Sequence, residues 1–159
     1  MLHFPVPAQD VLPHAPPMLC INALVAASRT TAEAVAHLHS GHILLDGGAV
    51  TEAGFIELAA QTAGAMKGYW EKTAGRPIGD GYLAAVGNFT VFGKARLGET
   101  LNISIELLTE LSDIRLIEAH IRQAPCGRGD DAAGSLLASG KLKLFVPELG
   151  PKHEKQDIF

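Results

Sequence analysis

The order of apolar and polar positions divides the chain into one long helix and a later series of strands. Residues 51–70 (TEAGFIELAAQTAGAMKGYW) carry apolar side chains around most of a helix's circumference, which predicts a helix buried on nearly every side. Thr51 is placed to cap its first turn, after the sharp turn that Gly47-Gly48 predicts. Each glycine inside the helix costs about 1 kcal/mol relative to alanine. We therefore expect a neighbouring backbone or a ligand to approach the helix closely at these positions.

Apolar stretches after the helix predict an antiparallel sheet, with a bulge near Gly87 and a short turn at Ser112-Asp113. The predicted strands are residues 82–92, 99–111, 114–123 and 134–146, and a further strand at 30–39 precedes the helix. Residues 18–26 are apolar and predict a short strand or a helical turn, whereas the five prolines of residues 1–17 exclude a regular helix there. Together these elements predict an α+β fold whose sheet curls around the helix.

Length and charge narrow the class of protein. The 159 residues predict a single domain over residues 1–147 with a polar tail at 148–159. The net charge is −4 and the cationic residues are scattered, which argues against binding of nucleic acid. No apolar run is long enough for a membrane span and no signal peptide is evident, so a cytoplasmic, soluble protein is expected. Cys20 and Cys126 stand in no CxxC spacing, which indicates neither zinc nor a disulfide framework.

The chemical candidates lie inside the helix, where Glu57 and Gln61 interrupt the apolar pattern. Burial disfavours an ionised carboxylate, and a carboxylic acid kept protonated can donate a proton in catalysis. The alternative is that Glu57 is partly exposed and reaches water. The first turn of the helix also offers unpaired N–H groups, which could hold a developing oxyanion.

Several stretches together resemble the hotdog-fold 3-hydroxyacyl-acyl carrier protein dehydratases of the FabZ type. Residues 12–25 (LPHAPPMLCINALV) resemble the family's opening LPHRxPFLLVDRV, and residues 81–101 (GYLAAVGNFTVFGKARLGETL) resemble GFLAGIDNARFRRPVVPGDTL. Residues 55–64 (FIELAAQTAG) resemble IEALAQAAG, which would place Glu57 on the catalytic carboxylate and Gln61 on the glutamine that positions it. In this resemblance His14 belongs to the opening motif and is expected to be structural, with hydrogen bonds to the backbone.

The sequence departs from this family at its second catalytic residue. The family's histidine lies in HFPGxPVMPG, fourteen residues before the glutamate, where this chain has Ile43. His42, one residue away, and Asp46 are the candidates for a base. The Pro-Gly at the helix start is replaced by Thr51-Glu52. A branch similar to the dehydratase-like proteins of aryl polyene pathways would tolerate these changes.

The resemblance implies elimination of water from a 3-hydroxyacyl thioester in fatty-acid or polyketide-type biosynthesis. His42 or Asp46 would take the α-proton, Glu57 would protonate the departing hydroxyl, and amides around Ala53 and Gly54 would hold the enolate oxygen. In the family's arrangement the base and the acid come from different protomers across the dimer interface. The implied substrate is carried on acyl carrier protein or CoA, and no cofactor is needed. A buried helix with unpaired edge strands also predicts a homodimer or higher oligomer.

Three other interpretations stay open. A non-catalytic hotdog subunit would bind or stabilise a catalytic partner, which would explain the missing histidine motif. A thioesterase would use the helix carboxylate to activate water. A third possibility is a metal site formed by His37, His39, His42 and Asp46, although no known ligand spacing matches and we expect no metal.

Overall fold

The computed structural model describes residues 2–125 and 134–147, and within them one long helix packs against one large sheet. The helix is α1 (Glu52–Thr73), and a short 3-10 turn covers Ala8–Asp10. The strands are β1 (Val6–Pro7), β2 (Ala23–Ala27), β3 (Thr31–His37), β4 (Leu45–Asp46), β5 (Ala49–Val50), β6 (Tyr82–Val91), β7 (Thr100–Leu111), β8 (Ile114–Gln123) and β9 (Leu136–Phe145).

Seven strands form the sheet in the order β1-β2-β3-β7-β8-β9-β6, and every neighbouring pair is antiparallel. α1 contacts β2, β3, β6, β7, β8 and β9. Buried and more exposed side chains alternate along β3, as expected for a sheet with one covered face. Ala32, Ala34 and Ala36 are buried, and the residues between them are not. The predicted α+β fold with a sheet around a central helix is confirmed.

Most predicted elements lie where the apolar pattern put them. α1 starts at the predicted position, where Thr51 Oγ1 accepts a hydrogen bond from the Gly54 amide at 3.1 Å, and it continues three residues beyond Trp70. β6 carries the expected irregularity, because its register against β9 shifts between Gly87 and Thr90. The predicted tail at 148–159, the end of the loop before β9, and Cys126 lie outside the described residues.

Two elements differ from expectation. Residues 18–22 of the predicted 18–26 element are not a strand, because the backbone at Met18 and Cys20 is hydrogen-bonded by the Gln61 side chain instead of by a neighbouring strand. The Gly47-Gly48 turn joins β4 and β5 in a hairpin that the sequence pattern had not predicted. Both glycines have positive φ, +56° and +81°, which a two-residue hairpin turn requires.

The segment before β2 lies along α1, and we call residues 11–18 the strap. At one end, a Cβ added at Gly68 would meet the carbonyl oxygen of Val11 at 1.9 Å. One turn earlier, a Cβ at Gly64 would meet Leu12 Cδ2 at 3.0 Å. The close approach expected at the helix glycines is therefore made by the strap, which these glycines allow to lie directly on the helix.

We expect Gly68→Ala to lower the free energy of unfolding by at least about 2–3 kcal/mol, because the new methyl group collides with backbone that cannot rotate away. Gly64→Ala is the matched control, because its methyl group meets only the end of a flexible leucine side chain. This substitution also replaces a helix glycine by a better helix former, so its free energy of unfolding should stay within about 1 kcal/mol of the wild type. Urea unfolding measures both. Equal stability of the two variants would contradict the backbone contact.

Candidate active site

Gln61 is the buried centre of the site and its side chain makes three hydrogen bonds. It is 2% exposed and follows Glu57 by one helical turn, so both side chains lie on the same face of α1. Gln61 Nε2 donates to Glu57 Oε1 at 2.7 Å and to the Met18 carbonyl oxygen at 2.7 Å. Gln61 Oε1 accepts from the Cys20 amide at 2.8 Å. Because that amide can only donate, the orientation of the Gln61 side chain is fixed.

Glu57 faces a groove of about 1010 Å³ between α1 and the sheet. The groove is lined on the helix side by Ala60, Gly64 and Lys67, and on the sheet side by Leu107, Ile117 and Leu144. Glu57 itself is half-buried, so it is neither sealed in the core nor pointing freely into solvent. Gln61 thus holds Glu57 at the wall of a groove that also contains three other carboxylates, those of Glu71, Asp80 and Glu110.

Cys20 lies behind this carboxylate and is not a nucleophile at neutral pH. Burial first, and then the nearby Glu57 carboxylate, raise the pKa of its thiol from 9.0 to about 11, while the hydrogen bond with Gln61 opposes the rise. The thiol also contacts the Met18 carbonyl oxygen at 3.4 Å. A thiol held protonated in this way is unreactive, because the thiolate is the reacting species.

His42 is buried and is hydrogen-bonded to the backbone of Cys20. Its Nδ1 accepts from the Leu44 amide at 3.4 Å, so Nε2 carries the hydrogen and donates to the Cys20 carbonyl oxygen at 2.9 Å. The ring lines a second cavity of about 590 Å³, with His39 and Ile43. Within one chain, His42 and Glu57 therefore line different cavities, and their expected pairing across a dimer interface stays a prediction.

The other predicted site residues also lie away from the groove. Asp46 is exposed beside the turn of the β4–β5 hairpin and lines neither cavity. Ala53 is exposed, and the Gly54 amide is engaged by Thr51. A role for these amides as oxyanion donors stays a prediction.

His14 lies in the groove, although the sequence did not lead us to expect it among the site residues. It lines the same groove as Glu57 and Gln61. The expected hydrogen bonds to the backbone are wrong: within the described parts of the chain its buried Nδ1 has no hydrogen-bond partner. No local sequence signal marked this position, because the place of His14 depends on the contacts that Leu12 and Met18 make with α1.

The alternative of a metal site finds no support in the structure. His37 Nδ1 lies 3.1 Å from the Thr100 hydroxyl, and His39 Nδ1 accepts from the Gly41 amide at 3.1 Å. Among residues 2–125 and 134–147, no group of three or more His, Cys, Asp or Glu side chains could hold a metal ion.

Comparison with known proteins identifies the family of the chain. A family model for ApeP-like proteins, described as ApeP dehydratase, matches residues 6–156. The chain belongs to the ApeP-like dehydratase family. The expected membership of a dehydratase family is thereby confirmed. A search of curated proteins finds no match to this sequence.

Solved structures similar to this ApeP-like chain include the dehydratase heterocomplex ApeI:P from Xenorhabdus doucetiae. That match has a TM-score of 0.77 and 20% sequence identity, and covers 91% of this chain and 93% of the other. A thioesterase superfamily member 2 from zebra fish matches with a TM-score of 0.62 and 16% identity, over 87% of this chain and 91% of that one. At these identities the matches show the shared hotdog fold.

A hypothetical thioesterase from Streptococcus pneumoniae TIGR4, solved with coenzyme A, matches with a TM-score of 0.57 and 12% identity. It covers 77% of this chain and 86% of its own. Thus the fold alone is shared with thioesterases, whereas the family model assigns the ApeP-like chain to dehydratases. In the described residues, no helix has the length and apolar character needed to cross a membrane.

The raised pKa of the Cys20 thiol can be used to test whether the Glu57 carboxylate lies close to this thiol. In a Cys126→Ser background, the thiolate absorbance of the folded protein should appear with a midpoint near pH 11, and Glu57→Gln should lower that midpoint, since it removes a nearby negative charge. Because the folded pKa lies above the ordinary value of 9.0, the contribution of the thiol to stability is complete below pH 9.0 and is lost as the pH rises toward 11.

The urea-unfolded chain is the control and should titrate near the ordinary thiol value. An unchanged midpoint in Glu57→Gln would show that the carboxylate does not act on this thiol.

Proposed function

We propose that this chain removes water from 3-hydroxyacyl thioesters and that Glu57 protonates the departing hydroxyl. The observation that carries the proposal is the 2.7 Å hydrogen bond from Gln61 to Glu57 at the wall of the groove. In a dehydratase family, a carboxyl group held at an apolar groove is the group best placed to supply that proton.

Gln61 positions Glu57 through the strap and not through the helix alone. Its Nε2 is held by the Met18 carbonyl and its Oε1 by the Cys20 amide, so the amide group has one orientation. Its remaining hydrogen fixes Glu57 Oε1. The described part of the chain gives Glu57 Oε2 no hydrogen bond, which leaves this oxygen for the leaving group of a ligand.

The shape and lining of the groove support an acyl chain as the bound group. Aliphatic side chains of the sheet and small residues of the helix give the groove apolar surface for a hydrocarbon, and its lining also includes charged side chains such as Lys67, Glu71 and Arg115. Acyl carrier protein or CoA would carry the thioester. The coenzyme A in the Streptococcus pneumoniae hotdog structure is consistent with a thioester carrier on this fold.

The free edge of the sheet supports pairing with a second hotdog chain. β6 is the last strand in the sheet and hydrogen-bonds only to β9. Its large apolar side chains are exposed, at 55% for Tyr82, 45% for Leu83 and 44% for Val86. An open, apolar edge strand is prone to pair with another strand. Since the Xenorhabdus relative is a heterocomplex, the second chain could be a copy or a different hotdog subunit.

A second candidate function is a non-catalytic subunit that supports a catalytic partner. It is favoured by the placement of His42 and Asp46, neither of which lines the groove of Glu57. The two functions differ in one respect: only the enzyme requires the acidic form of Glu57.

Glu57→Gln tests the enzyme directly. We expect it to lower kcat for enoyl formation from a 3-hydroxyacyl thioester at least about 100-fold, because it removes a general acid, while the Gln61 bond and the fold persist. The absorbance of the enoyl product, formed from substrates with short and medium acyl groups, measures the rate. The assay is run on the protein alone and on its complex with any hotdog partner with which it is isolated. Glu52→Gln, an exposed change on the first turn of the same helix, is the control and should leave the rate unchanged.

Each alternative has its own outcome in this experiment. Full activity of Glu57→Gln within a complex would identify a non-catalytic subunit. Release of free thiol without enoyl formation would identify a thioesterase. No turnover with any of these substrates would contradict the dehydratase proposal.

Val86→Lys tests the edge pairing, because a charge on β6 should prevent a second chain from docking there. We expect the wild type to sediment as a dimer and Val86→Lys as a folded monomer. Leu111→Lys is the matched control: Leu111 is 74% exposed at the end of β7, away from that edge, and the variant should remain dimeric. A dimeric Val86→Lys would place the interface elsewhere.

A further inference from the structure

We infer that His14 is the second catalytic residue of this groove, accepting the α-proton of the thioester while Glu57 protonates the leaving hydroxyl. The inference rests on the proposed function and assigns its base to a residue other than His42 and Asp46.

The path of the strap brings His14 to the part of α1 that carries Glu57. The strap meets the helix at Gly68 through Val11, at Gly64 through Leu12, and at Gln61 through Met18. It therefore runs toward the start of the helix, and His14 lies on it between the contacts at Gly64 and Gln61. Its ring and the Glu57 carboxylate line one groove.

The ring of His14 lacks the hydrogen bonds that three other histidines of the chain make. His37, His39 and His42 each have a ring nitrogen engaged by a hydroxyl or a backbone group. For His14, the described residues provide no hydrogen bond to either ring nitrogen, and Nδ1 is shielded from solvent. A buried polar atom without a partner costs free energy, about 1–3 kcal/mol. This ring can turn toward a ligand without breaking any hydrogen bond.

An imidazole with a free nitrogen has the properties that the reaction needs from its base. The free lone pair of such a nitrogen can act as a general base, and His14 lines the same groove as Glu57. His42 lacks this freedom, because its Nε2–H is committed to the Cys20 carbonyl and its Nδ1 to the Leu44 amide.

The proposed step is balanced. A ring nitrogen of His14 takes the α-proton, and the electrons of that C–H bond form the C=C bond. The C–O bond at the β-carbon breaks, and the oxygen leaves as water with the proton of Glu57. An imidazolium and a carboxylate remain in the groove, where opposite charges stabilise each other. Exchange of protons with water restores both groups.

The experiment measures kcat and its pH dependence for His14→Asn and His14→Gln. We expect kcat of both variants to fall by about 10²–10⁴-fold. In the wild type the rate should decline toward acidic pH because the base becomes protonated, and both variants should lack this decline. His39→Asn is the matched control, since His39 lines the other cavity, and it should stay within about twofold. Thermal unfolding checks that each variant is folded, and imidazole in the buffer should restore part of the rate of His14→Gly.

The outcomes separate this inference from the proposed function. If the wild type and His39→Asn turn over and both folded His14 variants keep their rate and pH profile, His14 is a structural residue and the dehydratase proposal stands. If the wild type forms no enoyl product, both fail.

Should substitution of His14 unfold the protein, the ring itself can be observed. The NMR signal of the His14 imidazole in the wild type should shift when a saturated, unreactive acyl thioether is added. An unchanged signal at saturating ligand would overturn the inference.

Discussion

The site depends on one buried amide group that joins two parts of the chain. Gln61 connects α1 to the strap and its continuation through bonds to Met18 and Cys20, and it connects both to the Glu57 carboxylate. All of its polar atoms are engaged while the residue is 2% exposed, so the amide cannot turn without leaving buried polar atoms unpaired. The same bonds that hold Cys20 in place therefore orient the catalytic candidate. Stability and geometry of the site are set by the same contacts.

The contact between strap and helix also explains an otherwise unfavourable sequence. A helix with several internal glycines is weak on its own, but at Gly68 the missing side chain lets the Val11 carbonyl lie against the helix. Without that approach the strap would stand further from α1, and Met18 and Cys20 would move away from Gln61. The glycines thus affect the site indirectly, by setting the separation at which the Gln61 hydrogen bonds form.

The sequence predicted the parts of the fold and site that depend on local pattern. Apolar periodicity located α1, β3 and the four later strands, and the spacing of Glu57 and Gln61 placed both on one helix face. It could not show that His14 lies in the groove of Glu57. His42 is nearer to Glu57 in sequence than His14 is, yet the intervening hairpin and the backbone of Cys20 put it in another cavity. That separation depends on tertiary packing, which no local spacing encodes.

The open side of the groove links the edge strand to the chemistry. Gly81, Tyr82 and Leu83, at the start of β6, line both the groove and the free edge of the sheet. A chain that paired with β6 would therefore lie beside the groove as well. Elimination through an enolate benefits from exclusion of water, since the charges involved are stabilised by fixed dipoles more effectively than by a mobile solvent. In such a pairing, association with a second chain and closure of the groove would be consequences of the same contact.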